Sequence, residues 1–143
     1  MEKTPESIEK IKSLFDKISP HFDTWLEVLQ GRIYGYVTWE HLKRHLPEDK
    51  DSLILDAGGG TGRWSLPLAK MGYRVVLCDI SEGMLKQAEK NIYKEKLSEK
   101  IKINKEDLTD LSFQDETFDF VLCEDGPVSI SDSKQVVREL ARV

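Results

Sequence analysis

The chain has 143 residues, 39% of them apolar and 33% charged, with a formal net charge of −5. That is the length and balance of one folded domain with a real core, and the acidic excess argues against nonspecific binding to nucleic acid or anionic membrane, which needs a basic face. No apolar run nears the ~20 residues of a membrane span, and the opening Met-Glu-Lys-Thr-Pro-Glu has no signal-peptide core, so a cytoplasmic location is expected.

Residues 4–18 read as a helix. Thr4 can cap it, Pro5 suits the first turn, and Ile8, Ile11, Leu14, Phe15 and Ile18 share one stripe. Pro20 is expected to break the run. A second helical stretch carries Phe22, Trp25, Leu26, Val28 and Leu29, and Gly31 and Gly35 punctuate the chain around Arg32-Ile33-Tyr34. A third helix spans about Thr38 to Leu46 and ends at Pro47. Residues 1–47 thus form a helical unit that either packs on a sheet or covers a ligand. Arg32, Tyr34, Tyr36 and Trp39 are the candidates to face one. His41 and His45 have a zinc-compatible spacing, but Leu42 stands where a zincin carries Glu and no third ligand group is near. A solvated helical face is expected there, and no metal.

Residues 48–143 read as an α/β core. Leu53–Asp56 is a continuous apolar run ending in an acid, as in a strand buried on both faces of a parallel sheet. Four glycines follow within five positions, Gly58, Gly59, Gly60 and Gly62, more than a plain turn requires. A helix from about Arg63 to Met71 comes next, with Pro67 near its first turn and Gly72 closing it. Strand, glycine bend and helix make the nucleotide-binding corner of an open α/β sheet. A dinucleotide site wants G-x-G-x-x-G or -A. The frames here, Gly58-x-Gly60-x-x-Arg63 and Gly60-x-Gly62-x-x-Ser65, miss at the third position. What fits is Asp56-x-Gly58-x-Gly60-x-Gly62. Its carboxylate would repel a pyrophosphate and attract an ammonium or sulfonium, and S-adenosylmethionine carries both. The segment resembles motif I of the class I S-adenosylmethionine-dependent methyltransferases. The resemblance implies Asp56, Ala57, Gly58, Gly60 and Gly62 at the cofactor, and a helical cap over it.

Arg74–Asp79 is the second strand. Asp79, 23 residues past Asp56, can accept both ribose hydroxyls of an adenosine, which supports S-adenosylmethionine and NAD alike. The helix from about Ser81 to Leu97 has Met84, Leu85, Ala88, Ile92 and Tyr93 as its inner face, and Ile80 and Met84 can touch the adenine. Ile101–Lys105 alternates as an edge strand does. The segment after it, Glu106-Asp107-Leu108 on to Leu111 and Phe113, resembles the family's Gly-Asp-Ala…Leu-Pro-Phe, with Glu106 in place of Gly. The resemblance implies Asp107 at the adenine amino group and Leu108 beside the ring. Phe118-Asp119-Phe120-Val121-Leu122 resembles the fourth-strand signature, with Asp119 structural. Glu124, Asp125 and Gly126 then border the transferable methyl, since ligands lie beyond the strand ends at a switch point. Asp125-Gly126-Pro127 is equally an ordinary turn. Ser131 or Asp132 can cap a last helix bearing Val136, Val137 and Leu140.

The expected fold is a Rossmann-like, doubly wound parallel sheet of order 3-2-1-4 with an N-terminal helical cap. The family's later strands are missing, so the core is expected to be C-terminally incomplete. The resemblance, nearest to quinone-biosynthesis and type 11 methyltransferases, covers about residues 50–143. It implies in-line methyl transfer from S-adenosylmethionine to a small-molecule acceptor, driven mostly by alignment. A base is dispensable for a thiol, carbanion or neutral amine; Glu124 and Asp125 are the candidates if one is needed. The alternatives are a NAD-type oxidoreductase domain and a non-catalytic fragment that binds S-adenosylmethionine. A bare fourth-strand edge implies self-association or poor solubility. Cys78 and Cys123, two strand spacings or ~9–10 Å apart, are too far for a disulfide, which needs ~7 Å, and should be free thiols.

Overall fold

The structure, a computed structural model, describes residues 5–124 and 133–143, without the side chains of residues 5–8, 11, 25, 26, 29 and 30. The readings placed on Thr4, Ile8, Ile11, Trp25, Leu26, Leu29, Asp125, Gly126, Pro127, Ser131 and Asp132 fall outside the described residues.

Four parallel strands form one sheet: β1 (Leu53–Ala57), β2 (Arg74–Asp79), β3 (Ile101–Lys105) and β4 (Phe120–Leu122), in the order β3-β2-β1-β4. Alternate residues of the central strands point to opposite faces, and both faces are apolar, so both are covered. On one face Ile54, Val75, Leu77 and Ile101 pack with Leu68 and Ala69 of α3 (Ser65–Lys70) and Leu85, Ala88 and Ile92 of α4 (Glu82–Lys94). On the other, Leu55, Ala57, Val76 and Cys78 pack with Leu108, Leu111 and Val136, the last on α5 (Ser133–Arg142). Asp119 clips β1 to β4: its carboxylate accepts from the Leu53 N–H at 2.7 Å and its own N–H donates to the Leu53 carbonyl at 3.0 Å. Phe113 and Phe118 meet edge to face, 5.0 Å between centroids, and fold the long β3–β4 connection back onto the core.

The N-terminal helices depart from the sequence reading. Helix α1 (Pro5–Leu26) runs through Pro20, where a break is predicted. Proline deletes the N–H that would bond the Asp16 carbonyl, but the Ser19 hydroxyl donates to that carbonyl at 3.0 Å and fills the gap. Helix α2 (Leu29–Leu42) runs through Gly31 and Gly35 and absorbs most of the predicted third helix, which ends at Leu42 rather than Leu46. Isolated helices lose ~1 kcal/mol at each interior glycine; here the bare backbone admits Arg63. A Cβ on Gly35 would stand 2.3 Å from Arg63 Nη2, and the same nitrogen donates to the Gly31 carbonyl at 2.8 Å.

Smaller corrections follow from solvent exposure. Tyr93, predicted to face inward, is 80% exposed, and Val137 is 54% exposed; each lies one position past the residue that is buried, Ile92 and Val136. The two cysteines are free thiols, Cys78 on β2 and Cys123 just past β4, the two strands that flank β1. Burial pushes the Cys78 thiol up to about 12 and that of Cys123 up to about 11, so both stay protonated at neutral pH. His41, near the end of α2, and His45, just past it, are both exposed, their rings 4.8 Å apart and tilted at 56°.

Candidate cofactor site

The parallel sheet brings three acids to the carboxyl ends of adjacent strands: Asp56 on β1, Asp79 closing β2, and Glu124 just past β4. Between β1 and α3 the chain bends through Gly58, Gly60 and Gly62, all with positive φ, up to +93° at Gly62, a conformation that penalises any other residue there. The bend is tied down by its own N–H groups. Gly58 and Gly59 both donate to the Cys78 carbonyl, at 2.8 and 3.0 Å, Gly60 donates to Asp79 Oδ2 at 3.0 Å, and Gly62 donates to the Gly59 carbonyl at 2.9 Å.

Asp56 lies directly against this bare backbone. A Cβ on Gly59 would stand 2.9 Å from the Asp56 carboxyl carbon and 2.9 Å from Leu77. Asp56 is 1% exposed, and Ser65 donates its hydroxyl to Asp56 Oδ2 at 2.6 Å. Burial pushes its carboxyl up to about 6, against the pull of the Ser65 hydroxyl and N–H, with the charges of Asp79 and Glu124 adding to the rise. Ser65 occupies the position where a dinucleotide fingerprint wants glycine, so the residue that spoils one motif holds the acid of the other.

Asp79 is half-buried. Its Oδ1 accepts from the Ser81 N–H at 2.9 Å and its Oδ2 from Gly60, so two backbone groups fix the plane of the carboxylate. Burial raises its carboxyl above the usual range, and the N–H groups of Ser81, Gly60 and Ile80 oppose that. Ile80 is half-buried beside it, and Met84 is 2% exposed, its sulfur 4.0 Å from where a Gly60 Cβ would stand, under the bend.

Glu124 is held from two sides. Its Oε1 accepts from the Tyr34 hydroxyl of α2, and its Oε2 from Trp64 Nε1 at 2.9 Å. Trp39 stacks on Trp64, 6.1 Å between centroids and 9° between planes, and Arg63 lies over both Tyr34 and Trp64. Of the four cap candidates, Tyr34 and Trp39 therefore reach the strand end, whereas Arg32 and Tyr36 face outward. Asp107 accepts from Thr109 through one oxygen, N–H at 2.9 Å and hydroxyl at 2.7 Å, and Leu108 turns its side chain into the core. Glu106, in place of the family's glycine, is buried and takes the Ser112 N–H and hydroxyl at 3.1 and 2.6 Å, which shapes the turn in glycine's stead.

This donor and acceptor set suits a cation and a diol. The N–H groups of all four glycines are already engaged within the protein, so the bend has few donors for a pyrophosphate. It offers instead a buried carboxylate in need of a positive partner and, at Asp79, a fixed acceptor pair. A family model described as a methyltransferase domain matches residues 54–143. The chain belongs to the S-adenosylmethionine-dependent methyltransferases. A demethylmenaquinone methyltransferase of Streptomyces avermitilis is 31% identical over 137 residues, covering 94% of this chain and 55% of its own length. The chain thus spans about half the length of the curated relatives it matches. Magnesium protoporphyrin IX methyltransferase of Synechocystis, solved with bound S-adenosylhomocysteine, is 27% identical with a TM-score of 0.59, over 78% of this chain and 49% of that one. The [4+2]-cyclase SpnF superposes with a TM-score of 0.83 at 17% identity, over 93% of this chain and 54% of that one, a likeness of fold alone. S-adenosylmethionine is the family's cofactor, and the methyltransferase reading stands over the dinucleotide one.

Sequence reasoning missed Ser65, and missed the side chains of α1 that grip the bend and the start of α4: Asp23, which accepts from the Thr61 hydroxyl at 2.5 Å and from Asn91 Nδ2 at 2.8 Å, and Asp16, which accepts from the Ser81 hydroxyl at 2.6 Å. The one available signal was that Asp16 and Asp23 stand seven residues apart, two turns along one helical face.

Proposed function

We propose that this chain holds S-adenosylmethionine in the bend between β1 and α3 for methyl transfer to a small-molecule acceptor. Residues 1–47 are the cap and 48–143 the cofactor core, in a cytoplasmic protein; no described helix is long and apolar enough to cross a membrane. The observation that carries the reading is the buried Asp56 carboxylate against a bend whose own N–H groups are spoken for. In this reading Asp56, Ala57, Gly58, Gly60 and Gly62 face the methionine part, Asp79 the ribose, and Ile80, Met84, Asp107 and the backbone of Leu108 the adenine. The bound cofactor supplies an activated methyl group on a positively charged sulfur. The chain's part is to fix that methyl in line with an acceptor and to keep water out.

Glu124 sits on the acceptor side, among Tyr34, Trp39 and Trp64. These aromatic faces suit a flat ring acceptor of the kind for which the demethylmenaquinone methyltransferases are named. With both oxygens engaged, Glu124 anchors the cap on the core; it serves as a base only when the Tyr34 hydroxyl gives up its place to the acceptor. Asp125 remains the second candidate base. Calorimetric titration with S-adenosylmethionine, S-adenosylhomocysteine and NAD tests the proposal. The first two are expected to bind and NAD to fail; the reverse order would overturn it.

A second part of the proposal concerns β4. Among the described residues it has one sheet neighbour, β1. Its other edge, unpaired among the described residues, is a template for another strand, and the chain is expected to self-associate through it. Sizing with light scattering should find a dimer or larger species, and a monodisperse monomer would count against this.

A further inference from the structure

The glycine bend has one side chain to offer, Thr61, set between Gly60 and Gly62 and 2% exposed. That side chain is bound to the cap rather than to the sheet. Asp23 of α1 accepts its hydroxyl at 2.5 Å and, through the other oxygen, Asn91 Nδ2 of α4 at 2.8 Å. Asn91 Nδ2 also donates to the Thr61 carbonyl at 3.1 Å, and Gln87 Nε2 donates to Asn91 Oδ1 at 3.2 Å, so Asp23, Thr61 and Asn91 close a ring of hydrogen bonds. Two turns earlier on the same helix, Asp16 accepts from the Ser81 hydroxyl and, at 2.8 Å, from the Gly83 N–H. Ser81 is the N-cap of α4 and its N–H holds Asp79. The contact is close: a Cβ on Gly83 would stand 2.9 Å from Asp16 Cα.

From this geometry we propose that α1 is a brace for the cofactor bend, with Asp23 as the positioning residue that sets it. The inference rests on the reading that S-adenosylmethionine occupies the bend, and deepens it. A run of glycines is the most mobile backbone a chain can have, and a ligand that must order it binds more weakly. Asp23 removes that cost beforehand by fixing Thr61. The coupling runs both ways: cofactor in the bend tightens α1 on the core.

The test is calorimetric titration with S-adenosylmethionine on the wild type, Asp23→Ala, Thr61→Val, the double variant and Asp23→Asn, with thermal unfolding of each. Amide exchange of α1 with and without S-adenosylmethionine is followed in parallel. Asp23→Ala and Thr61→Val are each expected to weaken binding about tenfold. The double variant should lose no more than Asp23→Ala alone, because that change already removes the Thr61 hydrogen bond together with the one from Asn91. Asp23→Asn, which keeps an acceptor for Thr61, should recover most of the affinity. The ligand should slow exchange in α1 of the wild type and not of Asp23→Ala. Should Asp23→Ala fail to fold, Thr61→Val, nearly the same in shape, decides. Binding within twofold of wild type in the folded variants, or losses that multiply in the double variant, would overturn the brace alone. A wild type that takes up no S-adenosylmethionine would overturn the functional reading and the brace with it.

Discussion

Asp56→Asn is expected to stabilise the ligand-free protein at pH 7.5 and, at the same time, to weaken S-adenosylmethionine binding about a hundredfold, the scale of a lost buried charge contact. The opposite signs have one cause. The carboxyl is 1% exposed and its folded value is about 6, above the ordinary carboxylate range. Between pH ~4 and ~6 the folded protein keeps a proton that the unfolded chain has released. Stability therefore falls as pH rises through that window, and above it the full penalty stands. About two pH units correspond to about 3 kcal/mol. Asparagine can still accept the Ser65 hydroxyl, so the variant should lose the pH-dependent penalty and keep the hydrogen bond. In the proposed function the ionised carboxylate also draws the cationic ligand, so wild-type affinity should rise as pH passes 6 and that of the variant should not. Unfolding and calorimetry at pH 5 and 7.5 read both halves. A variant that binds as tightly as the wild type would remove the electrostatic basis of the site.

Asp79→Ala is expected to weaken S-adenosylmethionine about a hundredfold and to cost about 1–3 kcal/mol of stability, the penalty of leaving partly buried donors unpaired. Two main-chain groups lose their acceptor at once, the Gly60 N–H in the bend and the Ser81 N–H before α4. In the proposed function the ribose loses its acceptor pair as well. Competition with adenosine and 2′-deoxyadenosine separates the two effects. The wild type should prefer adenosine, and the variant should treat the two alike. A variant that still discriminates would move ribose recognition to another residue.

These expectations differ in how early they were legible. Asp56 and Asp79 could be located from residue order, because each ends a short apolar run and a parallel strand delivers its last residue to the ligand edge. The strand order 3-2-1-4 followed from the family resemblance, and Asp119 as a structural clip from the same source. Periodicity worked less well where one residue decides a face, as at Tyr93 and Val137, because a helix turns 100° per residue and the edge of an apolar stripe is ambiguous.

Residue order by itself determined the strands, the glycine bend, the acid beside it and hence the choice of a sulfonium cofactor, since all of these are local patterns of backbone freedom and charge. Only the tertiary structure decided what the cap does. Thr61 meets Asp23 across 38 residues, Ser81 meets Asp16 across 65, and Glu124 meets Tyr34 across 90. The continuity of α1 past Pro20 and of α2 past its glycines belongs with them, because a hydroxyl one residue away and an arginine from the turn before α3 outweigh the local preferences of proline and glycine. Such pairings depend on which helix faces lie together after the core has formed, and no spacing along the chain encodes that.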